Sequence, residues 1–155
     1  MAFRISGLSP EPFRHLYGLN DQELERCNVK RFVADTHPGF PDRIEMRDAK
    51  VGESVLLLNH VYQPAASPYQ GSHAIFILEG AERKFDRVGE IPEVMQGRLL
   101  SMRAFDEAGM MLDAEIVAGE KIRATIENFF DNPAVAYIHA HNAIRGCYSG
   151  RIDRA

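Results

Sequence analysis

Two stretches of alternating apolar and polar residues, each turned back on itself by a short loop ending in glycine, constrain this chain most. The first runs from residue 98 to 117 around Asp106-Glu107-Ala108-Gly109. The second runs from Tyr137 to Asp153 around Ile144-Arg145-Gly146. A period of two belongs to strands, because successive side chains leave opposite faces of a sheet. A three-residue loop closing on a left-handed glycine joins antiparallel strands. Between the hairpins, Glu120 to Phe130 carries Ile122, Ile126, Phe129 and Phe130 at helical spacing. Hairpin, helix, hairpin leaves no regular βαβ alternation.

The rest of the chain agrees with that class. Residues 9–27 read as helical: Ser9 before Pro10 is a helix start, and Gly18 breaks the segment. Asn20 then caps a second helix, Asp21 to Cys27, with Glu23 placed for a capping box. Residues 29–35 read as a strand, and His37-Pro38-Gly39-Phe40-Pro41 as a loop. The alternation in Arg43 to Arg47 predicts a half-buried strand, and the apolar run in Glu53 to Tyr62 a central one. Gln63 to Ser72 has the length and composition of a binding loop. His73 to Leu78 is the next strand, and Pro92 to Gly97 makes one or two helical turns. The expected fold is α+β: a mostly antiparallel sheet, N-terminal helices and one helix between the C-terminal hairpins. It is expected as a single domain over residues 1–155.

Composition removes some functions. The net charge is −4 and no long Lys/Arg run occurs, which argues against nucleic-acid binding. Val55 to Leu58 is the longest apolar run, too short to cross a membrane. Met1 to Gly7 holds no apolar leader core. Cys27 and Cys147 make no disulfide framework, so reduced thiols and a cytoplasmic location are expected.

Register arguments place the candidate chemistry. In the second hairpin, Gly146 as the left-handed residue pairs Ala143 with Cys147, His141 with Ser149, His139 with Arg151 and Tyr137 with Asp153. Ile138 then opposes Ile152, and Ala140 opposes Gly150, on an apolar face. The other face gathers Tyr137, His139, His141, Cys147, Ser149, Arg151 and Asp153. In the first hairpin the same rule pairs Asp106 with Met110, Ala104 with Leu112 and Arg103 with Asp113, the last as an outward ion pair.

Imidazole and thiolate are the usual metal ligands and nucleophiles near neutral pH. Three readings follow. His139 and His141, with Cys147 or His60 as third ligand, could hold zinc. His139, His141 and Cys147 could be catalytic groups, although Asn142 should point away from His141, against a Cys-His-Asn triad. Arg43, Arg145 and Arg151 could clamp an anion, with Gln63, Tyr69 and Asn142 completing the pocket. An enzyme or binding protein for a small polar or anionic metabolite is therefore expected. The alternative is a structural domain whose His/Cys face packs on a partner subunit, a homo-oligomer among the options. A plain solvated polar face is the bland reading of the same pattern.

The chain also resembles the short bacterial proteins of domain of unknown function family 1203. The resemblance rests on Phe3-Arg4-Ile5-Ser6-Gly7-Leu8, Gly39-Phe40-Pro41, Asp48-Ala49 with Gly52-Glu53, and Gln63-Pro64 with Ser67-Pro68-Tyr69. It extends to Asp113-Ala114-Glu115 and to His139-Ala140-His141-Asn142 with Arg145-Gly146-Cys147-Tyr148. It implies a bacterial, cytoplasmic protein and supplies no activity.

Overall fold

The structure is a computed structural model and describes residues 2–155. The strands are β1 (Phe3–Ser6), β2 (Lys30–Val33), β3 (Ser54–Gln63), β4 (Gly71–Leu78), β5 (Asp86–Val88), β6 (Leu99–Phe105), β7 (Met111–Ala118), β8 (Tyr137–Asn142) and β9 (Tyr148–Arg154). The α-helices are α1 (Asp21–Arg26), α2 (Glu93–Gln96) and α3 (Ile122–Phe130). Six strands form one sheet in the order β5-β1-β9-β8-β6-β7, and three form another in the order β2-β3-β4. All the pairings are antiparallel. The fold is α+β, with α3 between the two C-terminal hairpins as expected.

The larger sheet has two unlike faces. Ile138, Ala140, Ile152, Met102 and Ala104 pack with Ile122, Ile126, Phe129 and Phe130 of α3 in one apolar core. Gly150 sits on that face because the tips of Met46 and Met95 take the space a Cβ would need. The opposite face meets β3. Gln63 Nε2 donates to the Tyr137 hydroxyl at 2.9 Å, and the Tyr62 ring stands edge-on to His141 at 4.7 Å between centroids. β3 itself is central in its sheet, and its Val55, Leu56 and Leu58 pack with Phe13, Leu16 and Leu24 from the N-terminal helices.

The N-terminal segment is less helical than expected. Glu11–Leu16 is a 3-10 helix and α1 is one short helix, capped by Asn20, whose side chain accepts from Glu23 N at 2.8 Å.

Three local expectations are corrected. Residues 43–47 are not a strand. Met46 adopts φ 56°, a left-handed conformation, so Ile44 and Met46 enter two different cores instead of one sheet face. The segment is tied instead by Asp42 N to Arg47 O, Ala49 N to Phe40 O and an isolated bridge between Pro41 and Asp48.

The other two corrections are β-bulges. In the first hairpin the register shifts between Ala104 and Phe105, so Arg103 faces Ala114 and Ala104 faces Asp113. Asp113 spends Oδ1 on its neighbour's Ala114 N–H, and the expected ion pair does not form. In the second, a shift between Ala140 and His141 brings Tyr148, not Ser149, opposite His141. Around its turn, Asn142 N donates to Cys147 O and Gly146 N to Asn142 O, while Ala143 N turns to Leu99 O. Ala143 therefore does not pair with Cys147. Gly146 is left-handed, as the loop requires, with φ 79°. The pairs His139–Arg151, Tyr137–Asp153, Ile138–Ile152 and Ala140–Gly150 are as expected.

Candidate functional site

β8 carries Tyr137, His139 and His141 on the face that meets β3. His139 and His141 are buried, with ring centroids 6.4 Å apart. The bulge on β9 turns Tyr148 onto the same face, where its ring lies 5.4 Å from His139, 5.8 Å from His141 and 5.7 Å from His60. Tyr62 stacks parallel to Tyr148 at 6.1 Å. The loop after β3 closes one side: Ser67 Oγ donates to Gly109 O at 2.9 Å, and Tyr69 stands edge-on to Phe105. Gln63 and Tyr69 thus both reach the C-terminal strands.

The imidazoles are short of partners. His141 Nδ1 lies 2.9 Å from Gly146 O. A carbonyl can only accept, so Nδ1 carries the proton and the neutral ring's Nε2 is a bare lone pair. Among the described residues, that Nε2 has no hydrogen-bond partner, and neither has His139 Nδ1. Burial pushes His139 down to about 3 and His141 down to about 4; Arg103 adds to both, and Arg151 to His139. Burial lowers His60 as well. Burial also raises the Tyr148 phenol, which stays protonated.

A second cluster forms around Cys147. Arg43 is 2% exposed, and its donors are used inside the fold. Nε donates to Tyr148 O at 2.8 Å, Nη1 to Pro41 O and Nη2 to the Cys147 sulfur at 3.1 Å. Asn142 Nδ2 reaches the same sulfur at 3.4 Å. Asn142 therefore does turn toward Cys147, because the turn leaves regular pairing after His141. Cys147 takes its hydrogen bonds from Asn142 and Arg43, while the His141 ring is fixed to Gly146.

The remaining candidates are dispersed. Arg145 is exposed in the turn. Arg151 pairs with Asp153 at 3.0 Å and lies over the Tyr137 ring at 4.2 Å. Among the described residues, no three His, Cys, Asp or Glu side chains gather as a metal site, so the set His139, His141, Cys147 and His60 does not converge on one point. Open surface depressions, one lined by Asp21, Glu25, Arg31 and Asn59, include none of the histidines.

Sequence reasoning missed Tyr148, Tyr62, Ser101 and Arg103. On β6, Ser101 pairs with His141 and Arg103 with His139, so both share the imidazole face. Tyr62 was findable, since it follows His60 at strand spacing. Tyr148 reaches this face through a bulge, which left no local signal; Arg103 lies there by regular alternation with Met102 and Ala104, and only its loss of Asp113 comes from a bulge.

Residues 39–154 match the family described as Protein of unknown function (DUF1203), and the chain belongs to that family. No curated protein and no solved structure matches it.

Proposed function

We propose that this member of the family is a one-domain protein that binds or acts on a small polar metabolite at the seam between its sheets, with His139 and His141 as the working groups. One observation carries the reading: a fully buried His141 whose Nε2 lone pair faces no donor. Native folds pair nearly all buried polar atoms, and an orphan costs about 1–3 kcal/mol. Keeping such a cost makes sense where the partner arrives from outside.

The shifts select the role. An imidazole at about 4 is neutral at physiological pH but is a weak base there. Its use is as a fixed hydrogen-bond acceptor for a ligand hydroxyl, amide or ammonium group. Arg43 and Arg145 do not serve as anchors in this reading, the first because its donors are engaged and the second because it stands out in the turn. The face is covered by β3 of the same chain, which favours a ligand site over packing on a partner subunit. Two free thiols suit a reducing cytoplasm.

The test is a thermal-shift panel of small hydroxyl- and amine-bearing metabolites on the full chain, repeated on His141→Gln and His139→Gln. A compound that raises the melting temperature of the wild type and of neither variant is the expected result. Hits that act equally on all three proteins place the ligand elsewhere and remove the reading.

A further inference from the structure

Regular pairing of β6 with β8 puts an arginine beside the buried histidines, and the bulge in the β6–β7 hairpin leaves it without an acid. Arg103 is half-buried, directly opposes His139 across β6 and β8, and faces Ala114 on its other side. Its Nε donates to Ser101 Oγ at 3.2 Å, so the side chain runs along β6 toward the His141 row. No salt bridge among the described residues includes it. The contrast with its neighbour across the strands is sharp. Arg151 flanks His139 from β9 but is held by Asp153.

We infer that Arg103, with the Ser101 hydroxyl, is the anchor of an oxyanion subsite on the half-buried edge of the histidine seam. It would take a small carboxylate or phosphate that also carries a hydroxyl. The inference rests on the ligand reading of the seam and adds the charge class and the anchoring residue. Each part of the ligand has a counterpart. The free guanidinium edge matches two oxygens of a planar or tetrahedral oxyanion. Ser101 accepts from Arg103 Nε, which leaves its own proton for a third oxygen. His141 Nε2, in the row of Ser101, accepts from the ligand hydroxyl. Ile116, exposed and directly opposite Ser101 on β7, offers apolar contact for a short carbon chain.

The sealed Nε2 requires a movement on entry.

The experiment follows the imidazole signals of the full chain by NMR, at constant ionic strength set with sodium chloride. Glycolate is the hydroxy-carboxylate probe, glycolamide its neutral counterpart, and inorganic phosphate the second anion. The proteins are wild type, Arg103→Gln and Arg103→Lys; their ligand-free imidazole spectra report that the seam is intact. Glycolate or phosphate should shift the wild-type histidine signals saturably. Arg103→Gln should weaken that binding about tenfold or more, and Arg103→Lys should weaken it less. Whichever anion binds more tightly names the source as carboxylate or phosphoryl.

Equal binding of glycolate by wild type and Arg103→Gln, or equal binding of glycolate and glycolamide, overturns the anion inference and leaves the histidine reading standing. Histidine signals unmoved by glycolate, glycolamide and phosphate alike overturn both.

Discussion

The two faces of the six-stranded sheet obey different physics. Toward α3, the buried core is apolar: Ile138, Ile152, Met102, Ile122 and Ile126 are fully buried. Such burial is worth about 25 cal/mol per Å² and demands no specific partner. Toward β3, the same strands bury two imidazoles, two phenols and, close by, a guanidinium. Those groups demand partners one by one, and His139 and His141 have not found all of theirs. One hairpin, β8–β9, contributes to both faces, by alternation and, at Tyr148, by a bulge. Stability is concentrated on the first face, while the second retains unmet polar demand where a ligand can meet it.

Acid should separate the faces most strongly. His139 and His141 are held down at about 3 and about 4, below their ordinary value of 6.5. A depressed histidine leaves the unfolded chain with more bound protons, so stability rises with pH. Their contribution is complete above about pH 6.5 and is lost as pH falls toward 4. The loss between pH 6.5 and 4.5 should be on the order of 4 kcal/mol for the pair. Glu53, held at about 2 by Arg47, begins to lose its own stabilisation only below its ordinary 4.5, and buried Asp42, which burial raises, contributes in the opposite direction, so a net loss toward acid in the upper window reports imidazoles. Urea melts at stepped pH test this. A flat stability curve from 6.5 to 4.5 would mean that the histidines are solvated and the faces alike.

The apolar face is tested by truncation. Ile126→Ala on α3 removes a fully buried side chain from the core and should cost about 3–4 kcal/mol. Its cost should be the same at pH 7 and at pH 5, because the core it leaves is built of apolar side chains and the arginines over Phe3 and Phe130 keep their charge at both. A pH-dependent cost, measured in the same urea melts, would show the faces to be coupled.

Much of this contrast is written in the sequence, and the limit is physical. Alternation in residues 137–142 sorts Ile138 and Ala140 from His139 and His141, because strand parity is local. The Asn20 cap and the left-handed Gly146 are local too. The bulges are not. Which residue is extra depends on what each strand must meet across the sheet, so neither the face of Tyr148 nor the loss of Asp113 opposite Arg103 could be assigned from their own neighbours. Met46 is the same case: its positive φ is imposed by two cores that pull Ile44 and Met46 apart.

Arg43 sharpens the comparison in a different way, since its role on the polar side is structural. Arg43→Met removes the donors to Tyr148 O, Pro41 O and the Cys147 sulfur. Leaving these acceptors bare should cost about 2–3 kcal/mol, partly offset by the desolvation of a charge no longer buried. Denaturant midpoints at pH 7 check the value. A variant as stable as the wild type would mean that the buried guanidinium is held for chemistry at Cys147 rather than for the fold.

The smallest effect has the opposite sign. His139→Phe replaces a ring whose Nδ1 has no partner by an apolar ring of similar shape, among Phe105, Tyr137 and Tyr148. Removing the orphan nitrogen should stabilise the protein by about 1 kcal/mol at pH 7. It should also remove one of the two steps from the acid profile, since phenylalanine does not titrate. Both readouts come from one set of melts. A stabilised variant with a halved acid slope marks His139 as retained at a cost to the fold, the behaviour of a group kept for a ligand. A destabilised variant would assign His139 a structural partner and make the second face an ordinary core.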